Sequence, residues 1–192
     1  NIDADNRWLW RMNRRRLDVE AWRDALLDVS GRLDRAMGGA STNLADAGNV
    51  RRTVYAKISR HELDSLLRLF DFPDANITSS KRSQTTVPQQ QLFVLNSPFM
   101  IEQAKSFAAR LQREEPTTDR ARIQRAFALA FGRAPSALEM ELGLAYLAAA
   151  DGAAADSSAA DDAAANGEQN KMTRWERYTQ ILLGGNEFMY LD

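Results

Sequence analysis

The sequence contains no cysteine and a single histidine, His61, among 192 residues. Without thiols the chain can hold no disulfide, thiolate zinc site, cysteine nucleophile or covalent haem attachment. One histidine rules out a multi-histidine metal site. An excess of one charge is also missing, since 25 basic and 26 acidic residues give a net charge of -1. No overall field therefore draws in nucleic acid or an anionic surface. No apolar run approaches the roughly 18 residues needed to cross a bilayer, and no leader pattern is present. The chain opens Asn1-Ile2-Asp3-Ala4 without a methionine and reads as a piece of something longer.

What is present is apolar periodicity. The apolar fraction of 44% is that of a globular protein, and a chain this long can bury about 70% of its unfolded surface. Trp22, Ala25, Leu26, Val29, Leu33 and Met37 recur at steps of three and four. They predict a helix over 16–37, kinked at Ser30-Gly31 and ended by Gly38-Gly39. Residues 52–58 alternate and form the one good strand candidate. Ser59 and Glu62 have capping-box spacing ahead of Leu63, Leu66, Leu67 and Phe70. Pro73 stops that short helix.

Pro88 opens another helix, and Ser97-Pro98 a longer one through Met100, Ala104, Phe107 and Leu111. Thr118 caps the next, which Gly132 ends. Ser136 and Glu139 form a second capping box, followed by Leu138, Leu142, Ala145, Tyr146 and Ala149 at helical spacing. These two helices should form an antiparallel hairpin. A last helix over 172–183 turns Trp175, Tyr178 and Leu182 inward. The Ala/Asp-rich stretch 151–170 has no large apolar residue and reads as a flexible insertion. The fold expectation is all-α: an irregular bundle of about six helices with at most one short strand pair, residues 1–192 forming a single helical domain.

Chemistry concentrates between Phe70 and Pro88. Asp71, Asp74 and Asn76 supply the oxygen ligands calcium prefers, but the twelve-residue EF-hand pattern and its closing glutamate are missing. Turn capping by the Asp and Asn side chains is the favoured reading, and no metal or cofactor is assigned. Lys81, Arg82, Thr85 and Thr86 precede a helix N-terminus, where an anion could be held, yet no Gly-rich loop accompanies them. The favoured reading is a clamp in which Arg82 pairs with Asp71 or Asp74. Arg52 is a second possible partner for these acids. The binding or structural-knot candidates are Arg52, Asp71, Asp74, Arg82, Thr85 and Thr86, and no catalytic residue is assigned. His61 has no nucleophile partner and reads as structural. Trp8 and Trp10 beside Arg14, Arg15 and Arg16 make a basic-aromatic pattern of the kind that holds nucleic acid. Asp18, Glu20 and Asp24 favour internal pairing instead, so neither nucleic acid nor a membrane span is expected.

Several motifs carry a family resemblance. They are Arg15-Arg-Leu-Asp-Val-Glu-Ala-Trp22 running on to Gly39, Arg51-Arg-Thr-Val-Tyr55, Phe70-Asp-Phe-Pro-Asp74, Arg82-Ser-Gln-Thr-Thr-Val-Pro-Gln-Gln-Gln-Leu92, Leu95-Asn-Ser-Pro-Phe99, the Ala-Phe-x-x-Ala-Phe-Gly-Arg-x-Pro pattern ending at Pro135, and Asn186-Glu-Phe188. Together they resemble the second half of a planctomycete-type domain of unknown function. In that family the domain lies at the C-terminal end of large exported proteins, often downstream of a cytochrome c-like module. The resemblance implies a helical fold, an extracytoplasmic setting and the C-terminal part of a longer domain. It implies partners among the upstream domains of the same parent protein. The reading that follows is a binding or scaffolding domain, leaning away from catalysis, with a polysaccharide or protein ligand. The alternatives are a polysaccharide hydrolase using acids of the 70–88 turn, and a docking accessory to a haem-containing electron-transfer module.

Overall fold

In a computed structural model, which describes residues 3, 5–46, 48–149 and 172–191, nearly all regular structure is helical. Among the described residues there are eight α-helices and one two-stranded sheet. The insertion expected at 151–170 lies outside the described residues. Strand β1 (Arg15–Arg16) pairs antiparallel with β2 (Tyr190–Leu191), so the single strand pair joins segments from opposite ends of the sequence.

Helix α1 covers Val19–Val29 and buries Val19, Trp22, Leu26 and Leu27. It is shorter than the 16–37 periodicity predicts. Gly31 takes φ 76, a left-handed geometry that favours glycine, and Arg110 donates to the carbonyls of Asp28 and Val29 at 2.9 Å each. The Val29 carbonyl is an orphan acceptor of the helix end and the Asp28 carbonyl also takes the Gly31 N–H, so the arginine seals the end. Beyond it, Met37 is 88% exposed. The strand expected at 52–58 is instead one 3-10 turn, Thr53–Tyr55. Asp24 Oδ1 takes both the N–H and the hydroxyl of Thr53 at 2.7 Å, which removes that N–H from any ladder. Only isolated bridges remain, Asp34 to Arg51 and Thr42 to Ala56.

Helix α2 is Ser65–Leu69, capped by Asp64. Ser59 Oγ instead accepts from the N–H groups of His61 and Glu62 in a separate turn, so the capping-box reading placed the helix start too early. Helices α3 (Pro88–Asn96) and α4 (Pro98–Glu114) meet at Ser97, whose hydroxyl caps α4. Helices α5 (Asp119–Phe131) and α6 (Ala137–Ala148) form the expected hairpin, with Thr118 and the Ser136–Glu139 box as caps. Helices α7 (Arg174–Gly184) and α8 (Asn186–Met189) complete the set.

The helical spacing of α6 does not by itself mark its buried face. Leu138 and Leu142 are 64% and 60% exposed, while Met140 and Gly143 are buried. This helix is apolar nearly all round, so its pattern does not select a face. Close approach selects it: a Cβ on Gly143 would lie 2.7 Å from the Tyr178 hydroxyl. Helix α4 occupies the centre. Met100, Ala104, Phe107 and Leu111 are buried along it, and Thr179 of α7 donates to the Ala104 carbonyl at 2.8 Å. Trp22, Phe70 and Phe93 gather at the α2 end of the core, Trp22 and Phe70 with ring centroids 4.7 Å apart.

Candidate functional site

The polar turn begins where α2 stops. Phe70 drops into the core, and the N–H of Phe72 returns to the Leu67 carbonyl at 2.9 Å. Between them Asp71 adopts φ 62, a left-handed conformation that Asp tolerates better than most residues. The geometry aims its carboxylate at the segment entering α3. Oδ1 accepts the Thr85 hydroxyl at 2.7 Å, and Oδ2 accepts the Thr85 N–H at 2.8 Å. Oδ2 also accepts Nη2 of Arg16 at 2.6 Å.

Arg16 is the centre of this arrangement. It is 7% exposed, and its Nη1 donates to the Thr85 carbonyl at 2.6 Å and to Gln90 Oε1 at 3.2 Å. Gln90, 5% exposed, donates in turn to the Leu69 carbonyl at 2.9 Å. One guanidinium thus joins β1, the turn after α2 and the N-terminus of α3. Burial alone would raise the Asp71 pKa. The N–H and hydroxyl of Thr85 and the Arg16 guanidinium outweigh it and hold the carboxyl below its ordinary value.

Arg82 does not make the expected pair with Asp71 or Asp74. It forms a bidentate bridge to Glu20 on α1, both contacts at 2.8 Å, and lies over the Phe72 ring at 5.3 Å. Asp71 already has a buried arginine, and planar guanidinium–carboxylate pairing suits Glu20. Burial pushes the Glu20 carboxyl up, but the Arg82 hydrogen bond, a backbone N–H and the Arg82 charge together outweigh it and hold the carboxyl below its ordinary value. Asp74 accepts from the N–H and side-chain amide of Asn76, and Asn76 donates to the Arg60 carbonyl. That is the local turn capping the residue types favour. Arg52 sits elsewhere, 3.8 Å from Asp24. Thr86 is exposed, one residue past the network. The structure therefore brings Asp71 and Thr85 together, leaves Arg52, Asp74 and Arg82 on separate contacts, and leaves Thr86 exposed outside the network.

Sequence reasoning missed Arg16, Gln90 and Glu20, whose partners lie 55 to 74 residues away. It also missed a second buried arginine. Arg23, 1% exposed, donates to the carbonyls of Asn49 and Arg51 and to the Thr53 hydroxyl. The available signal was an arginine directly after Trp22 on the helix that buries it. Arg133 makes a third clamp, bridging Glu139 and Glu187 with two contacts to each. Arg133 heads the causes that hold the Glu139 carboxyl down at about 2.

Beside the Arg16 knot an open groove of about 850 Å³ runs between the 43–59 loop, α2 and Thr85. Lys57, Arg68, Glu62 and Asp64 line it with the outer edge of Asp71, and no aromatic side chain is among its described lining residues. His61 is exposed and outside this lining. Among the described residues no group of three or more His, Asp or Glu side chains is placed to hold a metal ion.

In this helical bundle the polar residues around the 70–88 turn resolve into arginine-centred ties. The chain belongs to the family described as PSD1, protein of unknown function (DUF1553), whose model matches residues 1–147. No curated protein and no solved structure matches it.

Proposed function

We propose that this chain is a non-catalytic binding or scaffolding domain of a multidomain extracytoplasmic protein, with the groove beside the Arg16 knot as its contact surface. The observation that carries this reading is the full engagement of Asp71. Both of its oxygens serve Arg16 and Thr85, so this acid at the groove's edge holds the fold and is not poised for proton transfer. A hydrolase would need a free carboxylate pair there, and of the groove's three acids Asp71 is tied to Arg16 and Thr85 and Asp64 to the cap of α2. The groove's mixed lining of Lys57, Arg68, Glu62 and Asp64 suits a polar protein surface.

The sequence resemblance supports a planctomycete-type exported parent, with this domain at its C-terminal end and a cytochrome c-like module upstream. Upstream domains of that parent are the proposed partners. One hydrophobic cluster takes in residues from Val19 to Met189, which supports treating the whole chain as one helical domain.

Two measurements test the proposal. The chain should bind the upstream part of its parent protein in solution, and the double variant Lys57→Glu/Arg68→Glu should abolish that binding while the melting temperature stays put. Turnover of a polysaccharide that disappears in Asp71→Ala or Arg82→Ala without loss of folding would sink the non-catalytic reading.

A further inference from the structure

Helix α6 is packed on one side only. Met140 and Gly143 are buried against the bundle, while Leu138, Leu142, Ala145 and Ala149 are all exposed. Glu141 is the one charged residue among the exposed positions of this helix. A helix that is apolar nearly all round has partners on every side when its packing is complete. The neighbouring α5 is built differently, with Arg120 and Gln124 turned outward. Single exposed leucines need no explanation. Two on successive turns of one face, followed by two alanines, form a seam. The stretch 151–170 has no large apolar side chain to lay over that seam.

The seam is complementary to itself. Leu138, Leu142, Ala145 and Ala149 follow one another at the alternating steps of four and three that mark paired helices. That spacing reads the same from either end. A second α6 laid antiparallel, about a two-fold axis level with residues 143 and 144, sets Leu138 over Ala149 and Leu142 over Ala145. Each large side chain then meets a small one, which is how facing layers interdigitate without voids. A parallel copy would set leucine on leucine and alanine on alanine, and would gape at one end. The two-fold axis makes every contact occur twice.

Charge selects the same partner. Glu141 stands on one flank of the seam and lines an open groove of about 720 Å³ between α5 and α6, together with Arg120, Gln124, Ala145 and Ala148. Arg120 lies near the start of α5 and Glu141 in the first half of α6, so the antiparallel hairpin holds them apart along its length. Neither has an ion pair or a side-chain hydrogen bond among the described residues. The two-fold axis reverses the order. It brings Glu141 of the second copy beside Ala148, whose small side chain leaves Arg120 within reach.

We propose that this face is a homodimer interface. Two copies pack α6 against α6 antiparallel, Leu138 and Leu142 of each lying on Ala149 and Ala145 of the other, with an Arg120–Glu141 pair closing each rim. The interface shares no residue with the groove beside the Arg16 knot, so it stands whether or not that groove binds a partner. Two short helices bury less than a permanent dimer does, and the association is weak and concentration-dependent.

Sedimentation equilibrium of the 192-residue chain tests this. The apparent mass should climb with concentration from the monomer value toward twice it. Leu138→Glu/Leu142→Glu should raise the dissociation constant by about a hundredfold or more. The melting temperature of the dilute protein should not move, because both side chains are exposed. Glu141→Arg alone and Arg120→Glu alone place like charges at both rims, and each should weaken self-association by about tenfold. An equimolar mixture of those two variants restores an opposite pair at each rim and should associate within about threefold of wild type. A monomer at every concentration up to about 1 mM overturns the proposal, as does a dimer that the leucine variant retains. A mixture that associates no more tightly than its two components overturns it equally.

Discussion

Two arginines on neighbouring segments are buried by different means. Arg16 meets a carboxylate, Asp71, and two neutral acceptors. Arg23 meets two backbone carbonyls and a hydroxyl, with Asp24 nearby but no direct ion pair between them. Desolvation lowers the Arg23 pKa, while Asp24 and Asp64 oppose the shift; a guanidinium stays charged regardless. The contrast shows that a buried cation needs complete hydrogen bonding more than it needs an opposite charge. It also shows where acid should act most directly, because in the Arg16 knot the carboxylate touches the guanidinium itself, whereas Asp24 reaches Arg23 through the Thr53 hydroxyl.

Removing the cation tests this most strongly. Arg23→Met leaves the Asn49 and Arg51 carbonyls and the Thr53 hydroxyl without a donor, and should cost about 3–5 kcal/mol in urea unfolding. A loss below about 1 kcal/mol would mean that water replaces the side chain and that the contrast is empty. Asp71→Ala strips Arg16 of its counter-charge but leaves its neutral acceptors, and should cost a smaller amount, about 2–3 kcal/mol.

Acid sharpens the difference. Asp71 and Glu20 are both held below their ordinary values, so their contribution is present above about pH 4 and is lost as pH falls through the lowered values. Wild-type stability should therefore fall more steeply below about pH 4 than that of Asp71→Asn. Equal slopes in the two proteins would remove Asp71 from the acid response. Arg82→Ala breaks a half-exposed bridge to Glu20 and should cost about 1 kcal/mol or less. Arg52→Ala, whose partner lies 3.8 Å away on the surface, should change the midpoint by less than about 0.5 kcal/mol.

The legible parts of this molecule are the local ones. Thr118, Ser136 with Glu139, Ser97 and Pro88 mark helix starts because capping acts over three or four residues. The end of α1 was misread because its seal, Arg110, lies 81 residues beyond Val29. The 52–58 alternation was real, but a strand needs a neighbour, and Asp24 took the Thr53 donor first. At the site, residue types suggested an arginine–aspartate clamp in the 70–88 turn. A clamp exists, with Arg16 in place of Arg82, because the choice between two arginines was made by tertiary packing across more than fifty residues.

The pairing of β1 with β2 bears on how this protein is made. Arg16 reaches its knot from a strand held by Tyr190, and the adjacent Leu17 N–H is tied to the Met189 carbonyl at 2.8 Å. A ribosome delivers residue 16 long before residue 190. During synthesis Arg16 must wait, with Asp71 and Thr85 already emerged, until β2 arrives to fix its backbone. Nascent chains stalled short of residue 189 should remain open to protease around Arg16, so the arrival of β2 sets the moment at which β1 becomes structure.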